Sequence, residues 1–99
     1  MFDASKVVGF DWDEGNVRKS EEKHNVSQVE AEQVFFNDPL LVVPDQRRDY
    51  SEPRIHALGK TDLGRLLHLT FTLRADNTLI RVISARDLHK KERAVYEQA

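Results

Sequence analysis

RIHALGKTDLGRLLHLTFTLRADNTLIRVISAR, residues 54–86, is the stretch that decides the fold. It holds three alternating runs, Arg54 to Gly59, Arg65 to Arg74 and Thr78 to Ala85. Turn-forming residues separate them, Thr61-Asp62-Leu63-Gly64 and then Ala75-Asp76-Asn77, so the runs read as strands joined by hairpins. In a strand, residues i and i+2 share a face. Leu67, Leu69, Phe71 and Leu73 therefore point one way, toward a helical layer, and His68, Thr70, Thr72 and Arg74 the other. On the neighbouring strand Ile55 and Ala57 point inward, and Arg54 and His56 join His68 and Thr70. The last run is ambiguous, because Ile80, Val82 and Ser84 alternate against Leu79, Arg81, Ile83 and Ala85, with large apolar residues on both sides. Arg81 and Arg86 have opposite parity, so both reach one site only if the strand bends, bulges or ends between them.

Working outward, Leu40 to Val43 is a further strand closed by Pro44, followed by a polar loop, Asp45 to Pro53. Upstream, Val7 to Trp12 reads as a short strand and Asp13 as the cap of a helix running through His24. Asn25 suits the left-handed turn that ends a helix, and Ser27 with Glu30 forms a capping box that starts another. That second helix is expected to end near Asn37-Asp38, because Pro39 disfavours helix in the residue before it. A closing helix over about His89 to Glu97 has Asp87 as its candidate cap. The order βααββββα implies an α+β fold: one domain over residues 1–99, a mainly antiparallel sheet, two N-terminal helices on one face and a C-terminal helix.

The 99 residues fit one modest core. The aliphatic runs are too short to span a bilayer, and no export signal is read at the N-terminus. Without cysteine there are neither disulfides nor thiolate metal sites. A cytoplasmic protein with no membrane association is the expectation. The net charge of −2 conceals an asymmetry. Residues 1–38 carry four Lys/Arg against nine Asp/Glu, and residues 39–99 carry eleven against eight. All but one of the arginines lie in the second part, and the guanidinium fork is well shaped to hold a phosphate.

A sheet face with Arg, His and Thr on neighbouring strands can hold an extended anionic chain. The C-terminal helix adds Lys90, Lys91, Arg93 and Tyr96, with Glu92 as a counter-ion, and cations beside an aromatic ring suit single-stranded RNA. The plainer reading makes this a solvated helix whose tyrosine packs on the sheet edge. His24, His56, His68 and His89 lack the spacing of a metal site, and no phosphate-binding loop or nucleophile elbow occurs, so neither a metal nor another cofactor is expected.

Several segments together resemble the BrnT toxin family in order and spacing: Phe10 to Glu14, Lys23 to Ser27, Val34 to Pro39, Arg54 to Gly59, Gly64 to Leu67, Ile80 to Arg86 and Glu92 to Glu97. The specific part is a K-H-x-V-S turn combined with an R-x-I-S-A-R strand, here Lys23 to Ser27 and Arg81 to Arg86. Ser20, Asn25 and Gln28 stand where relatives often have Asn, Gly and Phe. The resemblance implies a RelE-like fold and a metal-independent endoribonuclease that cleaves messenger RNA and arrests growth. It also implies a cognate ribbon-helix-helix antitoxin in a two-toxin, two-antitoxin complex, with DNA contacted only through the antitoxin.

Cleavage without metal has the RNA 2′-hydroxyl attack the adjacent phosphate. The protein must take the proton, stabilise the phosphorane and neutralise the leaving oxygen. Arg54, Arg81 and Arg86 are the candidates for charge stabilisation, and His56, Lys90, Lys91 and Arg93 for holding the strand. His68, His56, Glu92 and Tyr96 remain alternatives for the general base. A non-catalytic antitoxin-binding or RNA-binding module would use the same residues.

Overall fold

The computed structural model describes residues 4–13, 15, 24–45 and 52–99. The helix expected from Asp13 to His24 falls mostly outside these residues, as does most of the loop between Asp45 and Pro53. After a 3-10 turn at Ala4–Lys6 come β1 (Gly9–Phe10), α1 (Gln28–Val34), β2 (Leu41–Pro44), β3 (Ile55–Lys60), β4 (Leu66–Arg74), β5 (Leu79–Asp87) and α2 (Lys90–Glu97). Among the described residues five strands form one sheet in the order β1-β5-β4-β3-β2. Of these, only β1 runs parallel to its neighbour, β5, and the remaining pairs are antiparallel. The fold is thus mixed α+β with a mostly antiparallel sheet. Among the described residues, no helix is long and apolar enough to cross a membrane.

The hairpins follow the turn chemistry. Ala75, Asp76 and Asn77 all have positive φ, the region in which short polar residues are tolerated best. Asn25, at φ 53°, makes the expected left-handed turn. Ser27 caps α1, its Oγ accepting from the Glu30 N–H while the Glu30 carboxylate accepts from the Ser27 N–H. The helix stops sooner than expected, with Phe35 as its C-cap. The cap of α2 is His89, not Asp87: Asp87 is the last residue of β5, and the Glu92 carboxylate accepts from the His89 N–H.

The core forms as the alternation dictates. Leu67, Leu69 and Phe71 of β4 are fully buried with Ala57, Ile80, Val82 and Ala85 from the flanking strands and Val26, Ala31 and Val34 from the α1 segment. Phe35 meets Phe71 edge-on at 5.1 Å, a favoured aromatic geometry. Truncating a buried ring such as Phe71 to alanine costs about 3–5 kcal/mol. Gly59 lets α1 approach the sheet, because a Cβ there would lie 2.5 Å from Val34 Cγ1.

The ambiguity of the last strand is resolved by an irregularity in register. Thr70 pairs with Ser84 but Phe71 with Val82, leaving Ile83 as the extra residue of a bulge. The parity of β5 flips there. Ile80 and Val82 before the bulge and Ala85 after it all face the core, and Arg81, Ser84 and Arg86 share the opposite face with Thr72, Thr70 and His68.

Candidate functional site

The face of the sheet turned away from α1 is built in cross-strand rows. One row holds Leu58, His68 and Arg86, and the next holds Val43, His56, Thr70 and Ser84. Thr72 and Arg81 belong to the row beyond, with Arg54 at its end, where the Arg54 carbonyl accepts from the Asp45 N–H.

The first two rows enclose a continuous polar chain. Helix α2 brings Glu92 onto Arg86, with Oε1 2.7 Å from Nη1 and Oε2 3.0 Å from Nη2, a bidentate pair. His68 Nδ1 lies 2.8 Å from Glu92 Oε2 and 2.6 Å from Arg86 Nη2. On its other edge, His68 Nε2 is 3.0 Å from His56 Nδ1, which also meets Thr70 Oγ1 at 3.0 Å. His56 Nε2 completes the chain at 2.9 Å from Asp45 Oδ2. The chain is sheltered but reachable, since the Arg86 side chain is 26% exposed and that of His68 15%.

The protonation tendencies follow from this packing. The hydrogen bonds from Arg86, helped by the His89 N–H, hold the Glu92 carboxyl down to about 2, so it is ionised at neutral pH. Burial and the adjacent Arg86 charge lower His68, outweighing the attraction of Glu92, so its ring is neutral there. A neutral imidazole beside a fixed guanidinium can accept a proton while the cation holds an anion.

Of the expected site residues, the structure joins Arg86, His68 and His56 with Glu92. Arg81 shares their face but not their row: its partner Thr72 lies four steps along β4 from His68, about 13 Å at strand spacing. It is bound to the Asp13 carboxylate at 2.7 Å and to Asp11 Oδ2 at 3.5 Å, which raise its affinity for its proton. Arg54 belongs to that same distant row. Tyr96 is buried, and its hydroxyl donates to the Pro39 carbonyl at 2.7 Å. Burial raises its phenol above the ordinary value. Lys90, Lys91 and Arg93 are exposed on α2. Sequence reasoning missed Asp45, whose link to His56 depends on the β2–β3 register rather than on any spacing motif.

A second arginine cluster lies at the opposite side of the same strand end. Arg65 donates to both oxygens of Asp87 at 2.8 and 3.1 Å, to Glu30 at 3.1 Å, and to the carbonyls of Asn25 and His24 at 2.9 and 3.2 Å. It ties β5 to the turn that starts α1. Asp87 is lowered chiefly by the Arg65 hydrogen bonds, and Glu30 chiefly by the Ser27 N–H.

The sequence matches the family described as the ribonuclease toxin BrnT of type II toxin-antitoxin systems over residues 12–92. A comparison with curated proteins found no match. Among solved structures, the chain is similar to the crystal structure of the Brucella abortus ribonuclease toxin BrnT, with a TM-score of 0.63 at 19% identity, over 85% of this chain and 100% of that one. At that identity the likeness speaks for the fold, while the match over residues 12–92 speaks for descent. The chain belongs to the BrnT family of ribonuclease toxins of type II toxin-antitoxin systems.

Proposed function

We propose that this chain is a RelE-like, metal-independent endoribonuclease that cleaves messenger RNA in the cytoplasm, with its centre at Arg86, His68 and Glu92. The observation that carries this reading is the contact of one guanidinium with both a neutral imidazole and an ionised carboxylate on an open sheet face. Family membership supports it independently.

RNA lies across the sheet face with a phosphate at Arg86. His68 Nδ1 takes the proton of the 2′-hydroxyl as its oxygen attacks phosphorus. Arg86 stabilises the added negative charge, and Glu92 accepts a hydrogen bond from the imidazolium that forms. The bond from phosphorus to the 5′ oxygen breaks, leaving a 2′,3′-cyclic phosphate and a 5′ oxygen that takes a proton from water, and the hydroxide left behind takes the proton from His68. Lys90, Lys91 and Arg93 hold the strand on either side. Tyr96 anchors α2, so that Glu92 is delivered to the site. Glu92 is too weakly basic to serve as the base, and Tyr96 too reluctant to ionise. Arg81 and Arg54 contact neighbouring phosphates rather than the reacting one. A ribbon-helix-helix antitoxin neutralises the toxin in a 2:2 complex, and growth arrest follows when it is lost.

One observation favours a second reading, a module that binds antitoxin or RNA without cleaving. The Glu92 carboxylate already occupies both terminal nitrogens of Arg86, so a phosphate must compete for them. Incubating the purified chain with single-stranded RNA in EDTA separates the two readings. Fragments ending in cyclic phosphate, absent with Arg86→Ala, are expected. Intact RNA with retained RNA or antitoxin binding would establish the module instead.

A further inference from the structure

We propose that Asp45 is a positioning residue, acting through two imidazole rings to fix which nitrogen of His68 takes up a proton. The inference rests on the reading of His68 as the general base, and it follows from donors and acceptors along the chain. The Asp45 side chain is 6% exposed and its backbone is pinned by the N–H bond to the Arg54 carbonyl. An ionised carboxylate only accepts, so the facing Nε2 of His56 carries a hydrogen. In a neutral ring the other nitrogen is then bare, and His56 Nδ1 accepts. It faces His68 Nε2 at 3.0 Å, which must therefore donate. That leaves His68 Nδ1 without a hydrogen.

At the far end of the chain His68 Nδ1 meets both a donor, Arg86 Nη2 at 2.6 Å, and an acceptor, Glu92 Oε2 at 2.8 Å. The contacts there fit either protonation state, and the Asp45–His56 end decides between them. The bare nitrogen thus faces the cation at which the phosphate is proposed to sit. Once a proton arrives on Nδ1, Glu92 Oε2 at 2.8 Å is placed to accept its hydrogen bond. Among the described residues, the groups around His68 are Arg86 from β5, Glu92 from α2 and His56 from β3. Those around His56 are Asp45 after β2, with Thr70 and His68 from β4. A carboxylate that selects a tautomer for a working imidazole is the logic of a catalytic triad. Here it is transmitted through a second ring.

The test is two-bond proton–nitrogen correlation NMR of the 15N-labelled chain near neutral pH. Both neutral rings are expected as the Nε2–H form with bare Nδ1, and a neutral His68 carrying its hydrogen on Nδ1 would overturn the proposal without any variant. In Asp45→Asn the amide can donate as well as accept, so both tautomers are expected to become populated. Its RNA cleavage kcat is expected to fall about 10- to 100-fold with KM unchanged. Unchanged ring signals in Asp45→Asn would refute the positioning role whatever the nuclease does. Altered tautomers with unaltered kcat would refute its catalytic part. Rings as expected in an unaltered chain that leaves RNA intact would keep the tautomer assignment and refute the nuclease reading instead.

Discussion

Arg65 and Arg86 are both arginines bound by carboxylates at the same end of β5, yet they serve opposite faces of the sheet. The neighbouring residues Arg86 and Asp87 divide the work, Arg86 joining Glu92 and His68 while Asp87 turns the other way to clasp Arg65. Around Arg65 the partners are carboxylates and backbone carbonyls, acceptors with no proton to exchange near neutral pH. Around Arg86 one partner is a neutral histidine. The lesson is that a guanidinium saturated by carboxylates and carbonyls makes a rivet, whereas the same guanidinium beside a titratable nitrogen has the parts that the proposed reactive centre needs.

Removing the titratable partner is the strongest way to break this contrast. His68→Gln is expected to lower RNA cleavage by about 10²–10⁴-fold with little change in thermal stability, measured by initial rates and melting. Because a base must be unprotonated and burial and Arg86 lower His68, the rate of the unaltered chain should fall to half only at a pH below 6.5.

On the rivet side, Arg65→Ala strands Asp87, Glu30 and two carbonyls. With allowance for the partial exposure of the cluster, the loss is expected to be about 2 kcal/mol, read by denaturant melts. Cleavage at low temperature should be nearly unaffected.

Acid sharpens the contrast further. Glu92, Asp87 and Glu30 are all lowered in the fold, so the unfolded chain binds protons first as pH falls. Their stabilisation is complete above pH 4.5 and is lost from there toward about 2, the value of Glu92. His68 adds a gentler loss beginning below 6.5, since its unfolded ring protonates before the native one. Denaturant melts at pH 7, 5 and 3 should show a small step and then a larger one, and His68→Gln should remove the first. The smallest effect expected is that of Ser27→Ala, about 1 kcal/mol from the lost cap, with no change in cleavage rate.

Much of this was legible in the sequence. The alternation of Leu67, Leu69 and Phe71 set the core face, and the pairing of Ser27 with Glu30 marked the start of α1. His68 and Arg86 were legible as candidates for the same reason, because strand parity and residue type are local properties. The β5 bulge was legible only as a condition, since both sets of alternating residues there are apolar. Sequence also grouped Arg81 and Arg54 with Arg86 and offered Tyr96 as a candidate base, without showing that the Tyr96 hydroxyl is buried and donates to the Pro39 carbonyl. Asp45 was silent, because strand register and side-chain reach, rather than any periodicity, bring it to His56.

The most direct measurement is the initial rate of RNA cleavage in EDTA by Arg86→Ala and Arg65→Ala side by side, each with its melting temperature. Arg86→Ala should lose about 10²–10³-fold in rate even at temperatures where it is folded, although stranding Glu92 also lowers its melting temperature, and Arg65→Ala should melt about 10 °C lower while cleaving at nearly the full rate where folded. Equal losses of rate in both, or full activity in Arg86→Ala, would contradict the assignment of the reactive centre to the face that carries His68.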